Sequence, residues 1–277
     1  MKTILLLTDF SDTATHAAHY ACVLAQQLNI EKIILYHSYH TEAIYGEAGI
    51  VVTDEHPAWQ SCLQQLKELE AGIKNRLAPE IKTHTRTDII GLNDINTVMK
   101  EEEATLIVMG TAGKSKLEEI IVGSSAVTVC KHSEFPVLLV PMPAAMEPIR
   151  HIAFACDLQE VEKTIPLEEL KTLFTGFNVP LTIVNIADEN KFFGPETRKN
   201  SFALQEMLKE YTPSCYNSNS SDVATGIVKF ADEYPATLIV LISKRHHFME
   251  GIFYRSFTRK LAYTSPFPLL VIRENHQ

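Results

Sequence analysis

TLIVMGTAGKSKLEEIIVGSS, residues 105–125, places an apolar run directly before Gly110 and a Gly-Ser pair near its end. Such a run is typical of a strand buried on both faces of a parallel sheet. Glycine lets the backbone come close to a ligand, and the free N–H groups of a helix start favour an anion such as phosphate. The stretch therefore predicts a strand, a turn at Gly110 and Gly113, and an anion-binding helix start at Gly123.

Parts of the chain occur twice. Three pairs of segments match in the same order, at residues 4–9 and 152–157, 104–108 and 236–240, and 133–140 and 265–272. The first pair is separated by 148 residues and the other two by 132. Several matches in one order indicate a duplicated domain. The larger separation predicts extra chain in the first half, which we expect in the polar segment 39–56.

Each half alternates apolar strand patterns with amphipathic helix patterns. This alternation predicts two tandem, doubly wound α/β domains, each with a mainly parallel five-stranded sheet. The predicted domains are residues 1–143 and 149–277, because the proline-rich segment 141–148 cannot continue a strand or helix. In the first domain, Asp or Ser caps a helix that opens at Asp12.

Ligands of such folds bind outside the carboxyl ends of the strands, at the topological switch point. Asp9 and Gly110 each follow a predicted strand and are far apart in sequence. Because the ends of neighbouring parallel strands meet, we expect these two residues at one site.

Composition excludes several classes of function. The chain has 277 residues, 45% of them hydrophobic, enough for two packed domains. Its net charge of −9, without a basic cluster, argues against nucleic-acid binding. No apolar run approaches the roughly 20 residues of a membrane span. Five scattered cysteines without a Cys-x-x-Cys pair fit a reducing compartment. We expect a cytoplasmic protein with no nucleic-acid or membrane partner.

The first half resembles a universal stress protein domain. The matching segments are LTDFSDTA at 7–14, ILYH at 34–37 and IVMGTAGKSKLEEIIVGS at 107–124. The last has the glycine spacing of the ATP-binding members of that family. The resemblance extends over both halves and is weaker in the second. It implies that the two domains pack as a pseudo-dimer through their last strands.

This resemblance implies a binding site for ATP, with or without Mg²⁺, in the first domain only. The implied nucleotide-binding residues are Thr8, Asp9, Ser38, Met109, Gly110, Thr111, Gly113, Gly123, Ser124 and Ser125. Asp9 would bond to the nucleoside, and the backbone near Ser38 would meet the adenine edge. Gly110, Thr111 and Gly113 would wrap the ribose and phosphates. Gly123, Ser124 and Ser125 would offer N–H and hydroxyl donors to phosphate at a helix start.

The same residues have simpler interpretations. Gly110 and Gly113 occur in ordinary turns, and Asp9 and Ser124 are good helix caps. A P-loop is excluded, because it requires glycine where this chain has Val108. The histidines, His37 among them, are expected at the solvated surface.

The second half lacks the glycines. The equivalent positions hold Ile242, Arg245 and Arg255, while Ser256 and Asp157 are retained. A β-branched residue at 242 does not adopt positive φ comfortably. We expect a filled site that does not bind ATP.

The expected function is a stress-response protein that binds an adenine nucleotide, with the second domain structural or regulatory. It is not expected to be an enzyme, and slow ATP hydrolysis remains open to test. The alternative is an interaction scaffold without nucleotide. Possible partners beyond the nucleotide are another protein and further copies of the fused pair.

Overall fold

The structure is a computed structural model that describes residues 2–39, 45–46, 49–50, 57–111, 124–187, 194–234, 236–243, 260–262 and 264–275. Within these residues, the strands are β1 (Thr3–Leu7), β2 (Lys32–Ser38), β3 (Tyr45–Gly46), β4 (Gly49–Ile50), β5 (Lys82–Asp88), β6 (Leu106–Thr111), β7 (Val137–Pro141), β8 (Ile152–Ala155), β9 (Leu181–Ala187), β10 (Ser214–Asn219), β11 (Leu238–Ser243) and β12 (Leu269–Arg273). The α-helices are α1 (Asp12–Gln27), α2 (Pro57–Lys74), α3 (Ile95–Glu101), α4 (Ser124–His132), α5 (Val161–Thr164), α6 (Leu167–Phe177), α7 (Pro195–Met207) and α8 (Val223–Glu233).

Ten of these strands form one sheet in the order β10-β9-β8-β11-β12-β7-β6-β1-β2-β5. Each half supplies five parallel strands, arranged third, second, first, fourth and fifth along its sequence. The halves meet where β12 pairs antiparallel with β7, Leu270 lying opposite Leu138. The predicted fold class, two doubly wound five-stranded domains in tandem, is confirmed. The exact domain boundaries stay a prediction.

The helices of the first half divide between the two faces of the sheet. Ala17 of α1 and Leu66 of α2 lie in one apolar core with Leu6. Val98 of α3 and Val129 of α4 lie in the opposite core. The chain therefore changes face between β1 and β6, and this change marks the topological switch point.

Strand β6 is longer than the sequence predicts. Gly110 and Thr111 pair with Val140 and Pro141 of β7 instead of forming a turn. The hydrogen-bond ladder between β6 and β7 continues because β7 itself extends to Pro141 and supplies backbone partners for this end of β6. The predicted turn at Gly110 is therefore wrong, and the described part of β6 extends to Thr111.

The extra chain of the first half lies between its second and third strands. His37 of β2 pairs with Thr87, whereas the equivalent Asn185 of β9 pairs with Asn217, which is much closer in sequence. Only the short β3–β4 pair of the expected segment 39–56 falls among the described residues beyond Tyr39.

In the described part of the chain, we find no helix with both the length and the apolar character needed to cross a bilayer.

Candidate functional site

The switch point brings the predicted residues of two strands together. Leu7 of β1 lies in register with Met109 of β6. Thr8 and Asp9, which continue β1, therefore border the same crevice as Gly110. The expectation that Asp9 and Gly110 approach each other at neighbouring strand ends agrees with this register.

The turn after β1 is held by its own side chains. The Thr8 hydroxyl accepts a hydrogen bond from the Phe10 N–H at 3.0 Å, and Phe10 has a φ of 65°. Asp9 is exposed, and its Oδ1 accepts bonds from the N–H and hydroxyl of Ser11 at 3.0 and 2.5 Å. Ser11 in turn caps α1 by accepting from the Ala14 N–H at 3.3 Å. Asp9 thus has a structural role in the turn.

His37 is a member of the site that the sequence prediction missed. Its Nδ1 lies 2.7 Å from the carbonyl oxygen of Thr8, and its ring packs 4.6 Å from that of Phe10. Because a carbonyl only accepts, Nδ1 carries the proton, and a neutral ring presents Nε2 as an acceptor. The expected surface position is wrong for His37, which is half-buried. A strand-end histidine beside β1 could have signalled this contact.

Ser38 holds the segment that follows β5. Its hydroxyl donates to the carbonyl oxygen of Ile90 at 2.6 Å. Tyr36, two residues earlier on β2, donates to Asp88 Oδ1 at 2.6 Å. Burial, reinforced by Asp88, raises the pKa of the Tyr36 phenol, so Tyr36 remains a donor. These bonds fix the outer wall of the crevice.

Gly110 is required by packing. A Cβ atom there would overlap the carbonyl oxygen of Thr13 and lie 3.0 Å from the Ala14 nitrogen. The absent side chain therefore lets β6 lie against the first turn of α1. This contact accounts for glycine at position 110 without invoking a ligand. The contact of Gly110 with ribose and phosphate stays a prediction.

Thr111 carries a buried polar atom that lacks an internal partner. Thr111 is 2% exposed, and its Oγ1 has no hydrogen-bond partner among the residues that the structure describes. Buried hydroxyls are normally satisfied. Met109, two residues earlier on the same face, is 6% exposed within the apolar core.

The remaining predicted residues are only partly described. Gly113 and Gly123 lie outside the described residues. Ser124 begins α4, as predicted for the helix start, and Ser125 is exposed. Since α4 follows β6, its N-terminus lies on the carboxyl side of the sheet, where free N–H groups suit an anion.

The second half repeats the turn after its first strand. Leu158 has a positive φ of 54°, like Phe10 in the first half. Asp157 Oδ1 accepts a hydrogen bond from the Gln159 N–H at 3.1 Å. Asn185 donates to the Cys156 carbonyl oxygen at 2.8 Å, in the place of the bond between His37 and Thr8.

The fourth strand of the second half differs from that of the first. Ile242, at the position of Gly110, is 7% exposed in the apolar core that also contains Val161. The helix that corresponds to α1 is broken here: α5 ends at Thr164 and α6 begins after Pro166. Proline interrupts a helix interior, so this half does not build a single long helix like α1. Arg245, Arg255 and Ser256 lie outside the described residues.

Across the described ranges, no group of three or more His, Cys, Asp or Glu side chains is placed to hold a metal ion.

Comparison with known proteins finds a family match in both halves. The model of the universal stress protein family matches residues 1–141 and 217–273, which together make up most of the chain. Residues 142–216 lie between the two matched segments.

Two curated relatives come from Methanocaldococcus jannaschii. Universal stress protein MJ0531 is 32% identical over 148 residues, covering 51% of this chain and 83% of the relative. Universal stress protein MJ0577 is 29% identical over 165 residues, covering 50% of this chain and 94% of the relative. Each alignment spans about half of this chain.

A solved structure resembles the whole chain. A universal stress protein from Archaeoglobus fulgidus aligns with 98% of both chains at a TM-score of 0.71 and 17% identity. At this identity the likeness concerns the fold.

Proposed function

Because the chain belongs to the universal stress protein family, we propose that it is a stress-response protein that binds ATP or a related adenine nucleotide in its first half. The main support for the proposal is that Asp9 and Gly110–Thr111 lie at the neighbouring ends of β1 and β6, at the switch point of the sheet. Ligands of doubly wound sheets bind in this crevice.

The residues present fit a nucleotide. The Thr111 hydroxyl, buried and without a partner among the described residues, would be satisfied by a ligand oxygen. The start of α4 would supply N–H groups to phosphate. Asp9 Oδ1 bonds to Ser11, and the exposed carboxylate would accept bonds from the ribose hydroxyls.

We place the site in the first half alone. Ile242 carries a buried side chain at the position of Gly110, where the first half needs glycine for the close contact of β6 with α1, and the helix beside Ile242 is broken at Pro166. A nucleotide in the second half would require both features to change. Mg²⁺, where it accompanies ATP, would neutralise phosphate charge.

We further propose that the protein binds its nucleotide without turning it over as an enzyme. Two of the described polar side chains at the crevice are bonded to backbone carbonyl oxygens: His37 to that of Thr8, and Ser38 to that of Ile90. Release of phosphate from ATP by the purified protein, lost in Asp9→Ala, would revise this assignment.

Thermal unfolding with and without ATP and Mg²⁺ tests the proposal. Ligand at about 100 times its dissociation constant stabilises a native state by roughly 2.7 kcal/mol. We expect this shift in the wild type and in Asp157→Ala, the matched variant of the second half, and a much smaller one in Asp9→Ala. An equal shift in both variants would contradict the assignment to the first half.

A second candidate is an interaction scaffold that takes no nucleotide. It is favoured by Asp9 and Gly110 themselves, because each has a structural role: Asp9 in its turn and Gly110 against α1. If millimolar ATP leaves the unfolding temperature unchanged, this candidate replaces the first.

A further inference from the structure

The ten-stranded sheet has two edge strands in equivalent positions. β5 closes one edge and β10 the other. Each is the third strand of its half, and each pairs with the second strand in the same register. Thr87 lies beside His37, and Asn217 beside its counterpart Asn185. Corresponding positions on the two edges can therefore be compared directly.

The β5 edge is charged. It carries the charged residues Lys82, Arg86 and Asp88 within seven residues. Burial opposes the charge of Arg86, but its bonds to carboxylates outweigh this and raise its pKa. These bonds run to Glu101, Asp88 and Glu102 at 2.6, 3.0 and 3.2 Å. Charged side chains at an edge prevent another strand from pairing there.

Strand β10 itself, in contrast, is uncharged. It reads SCYNSN and contains no charged residue. Ser214, Tyr216 and Ser218 stand where β5 has His84, Arg86 and Asp88. The other face of the strand is also open, since Cys215, Asn217 and Asn219 are exposed.

An aromatic cluster lies beside this edge. The ring of Tyr216 is 4.7 Å from that of Phe230 and 5.3 Å from that of Tyr234. Tyr234 stacks on Phe230 and is still 46% exposed. Exposed tyrosines that are already held by packing are common at protein interfaces.

We propose that β10 pairs antiparallel with β10 of a second copy of this chain, which joins two ten-stranded sheets edge to edge. A strand pairing with its own copy about a twofold axis is self-complementary, and the uncharged β10 sets no like charges against each other. The protein already joins its two halves in this manner, by the antiparallel pairing of β7 with β12. The second copy extends the same sheet at its unprotected end.

The molar mass of the full-length protein in solution tests this interface. Sedimentation velocity over a range of concentrations should show a dimer for the wild type. Asn217→Lys places a charge on the exposed face of β10 and should weaken the dimer at least tenfold. Two controls should remain dimeric: Asn217→Ser, which keeps the strand uncharged, and His84→Lys, which adds a charge to the β5 edge.

Cross-linking locates the contact independently. In antiparallel pairing near Tyr216, the two Cys215 thiols lie within the span of a short bismaleimide, so the wild type should give a covalent dimer that Cys215→Ser does not form. A wild type that is monomeric at every concentration would overturn the proposal. So would a dimer that withstands Asn217→Lys, or one that cross-links equally well without Cys215. None of these results depends on nucleotide binding.

Discussion

Gly110 and Thr13 are in such close contact that a side chain at Gly110 could not be accommodated. A Cβ atom would overlap the Thr13 carbonyl oxygen and lie 2.6 Å from its carbonyl carbon. The glycine therefore sets the distance between the end of β6 and the start of α1. These are the two elements that border the candidate site, so packing and proposed binding depend on the same residue.

Gly110→Ala should destabilise the protein by about 1–3 kcal/mol, because overpacking forces the backbone of β6 away from α1. Gly72→Ala is the matched control, since a Cβ there meets nothing within 4 Å and the residue lies in α2. It should instead stabilise by roughly 0.5–1 kcal/mol. Urea unfolding measures both. Equal effects of the two substitutions would show that the contact with Thr13 has no energetic weight.

His37→Asn should be tolerated, because Asn185 makes the equivalent bond to a strand-end carbonyl in the second half. His37→Leu cannot donate to Thr8 and should lose about 0.5–1.5 kcal/mol, the usual net value of one hydrogen bond. The free energy of unfolding of the two variants gives the comparison. If Asn and Leu prove equally destabilising, the bond to Thr8 is not what the histidine contributes.

Ser11→Ala should lower the free energy of unfolding by about 1 kcal/mol, because it removes the cap of α1. Ser11→Gly should cost only a few tenths of a kcal/mol, since glycine is itself an acceptable cap. Chemical denaturation of both variants measures the difference. If Ser11→Gly destabilises the protein as much as Ser11→Ala does, the Ser11 hydroxyl acts mainly through its bond to Asp9.

Glu102 should make stability depend on pH. Burial opposes the charge of this carboxylate, but hydrogen bonds from Lys32 and Arg86 outweigh it and hold its pKa below the ordinary value of 4.5. A lowered pKa in the folded state gives stability that is present above pH 4.5 and is lost as the pH falls through the folded value.

Glu102→Gln should therefore be less stable than the wild type at pH 7, on the order of 1 kcal/mol for a lost hydrogen bond. The difference should shrink as the pH falls from 4.5 through the lower folded-state pKa, because the carboxylate is protonated first in the unfolded chain and then in the folded protein. Unfolding by urea across this pH range measures whether the stability difference between the variant and the wild type falls or rises on acidification. A difference that grows on acidification would contradict the assigned direction.

The fold could be predicted because its signals are local. Apolar runs such as Ile4–Leu7 and the repeats at fixed separations reveal the strands, the duplication and the two halves without any knowledge of contacts. The prediction that Asp or Ser caps α1 has the same basis, since capping depends on residues within one helical turn, and the structure has Ser11 at the cap.

The details of the site depend on neighbours that are distant in sequence. The pairing of Gly110 and Thr111 in β6 depends on how far β7 extends, and the bond of His37 depends on its place beside β1. The glycine spacing predicts an anion site at Gly110, but the contact with Thr13 gives that glycine a second role, visible only once α1 is packed on β6.

Calorimetric titration of ATP into the full-length protein tests the central claim most directly, because it counts sites. We expect one ATP bound per chain, with binding lost in Gly113→Val and unchanged in Asp157→Ala. The absence of binding at millimolar ATP, two nucleotides per chain, or wild-type affinity in Gly113→Val would each contradict a single nucleotide site in the first half.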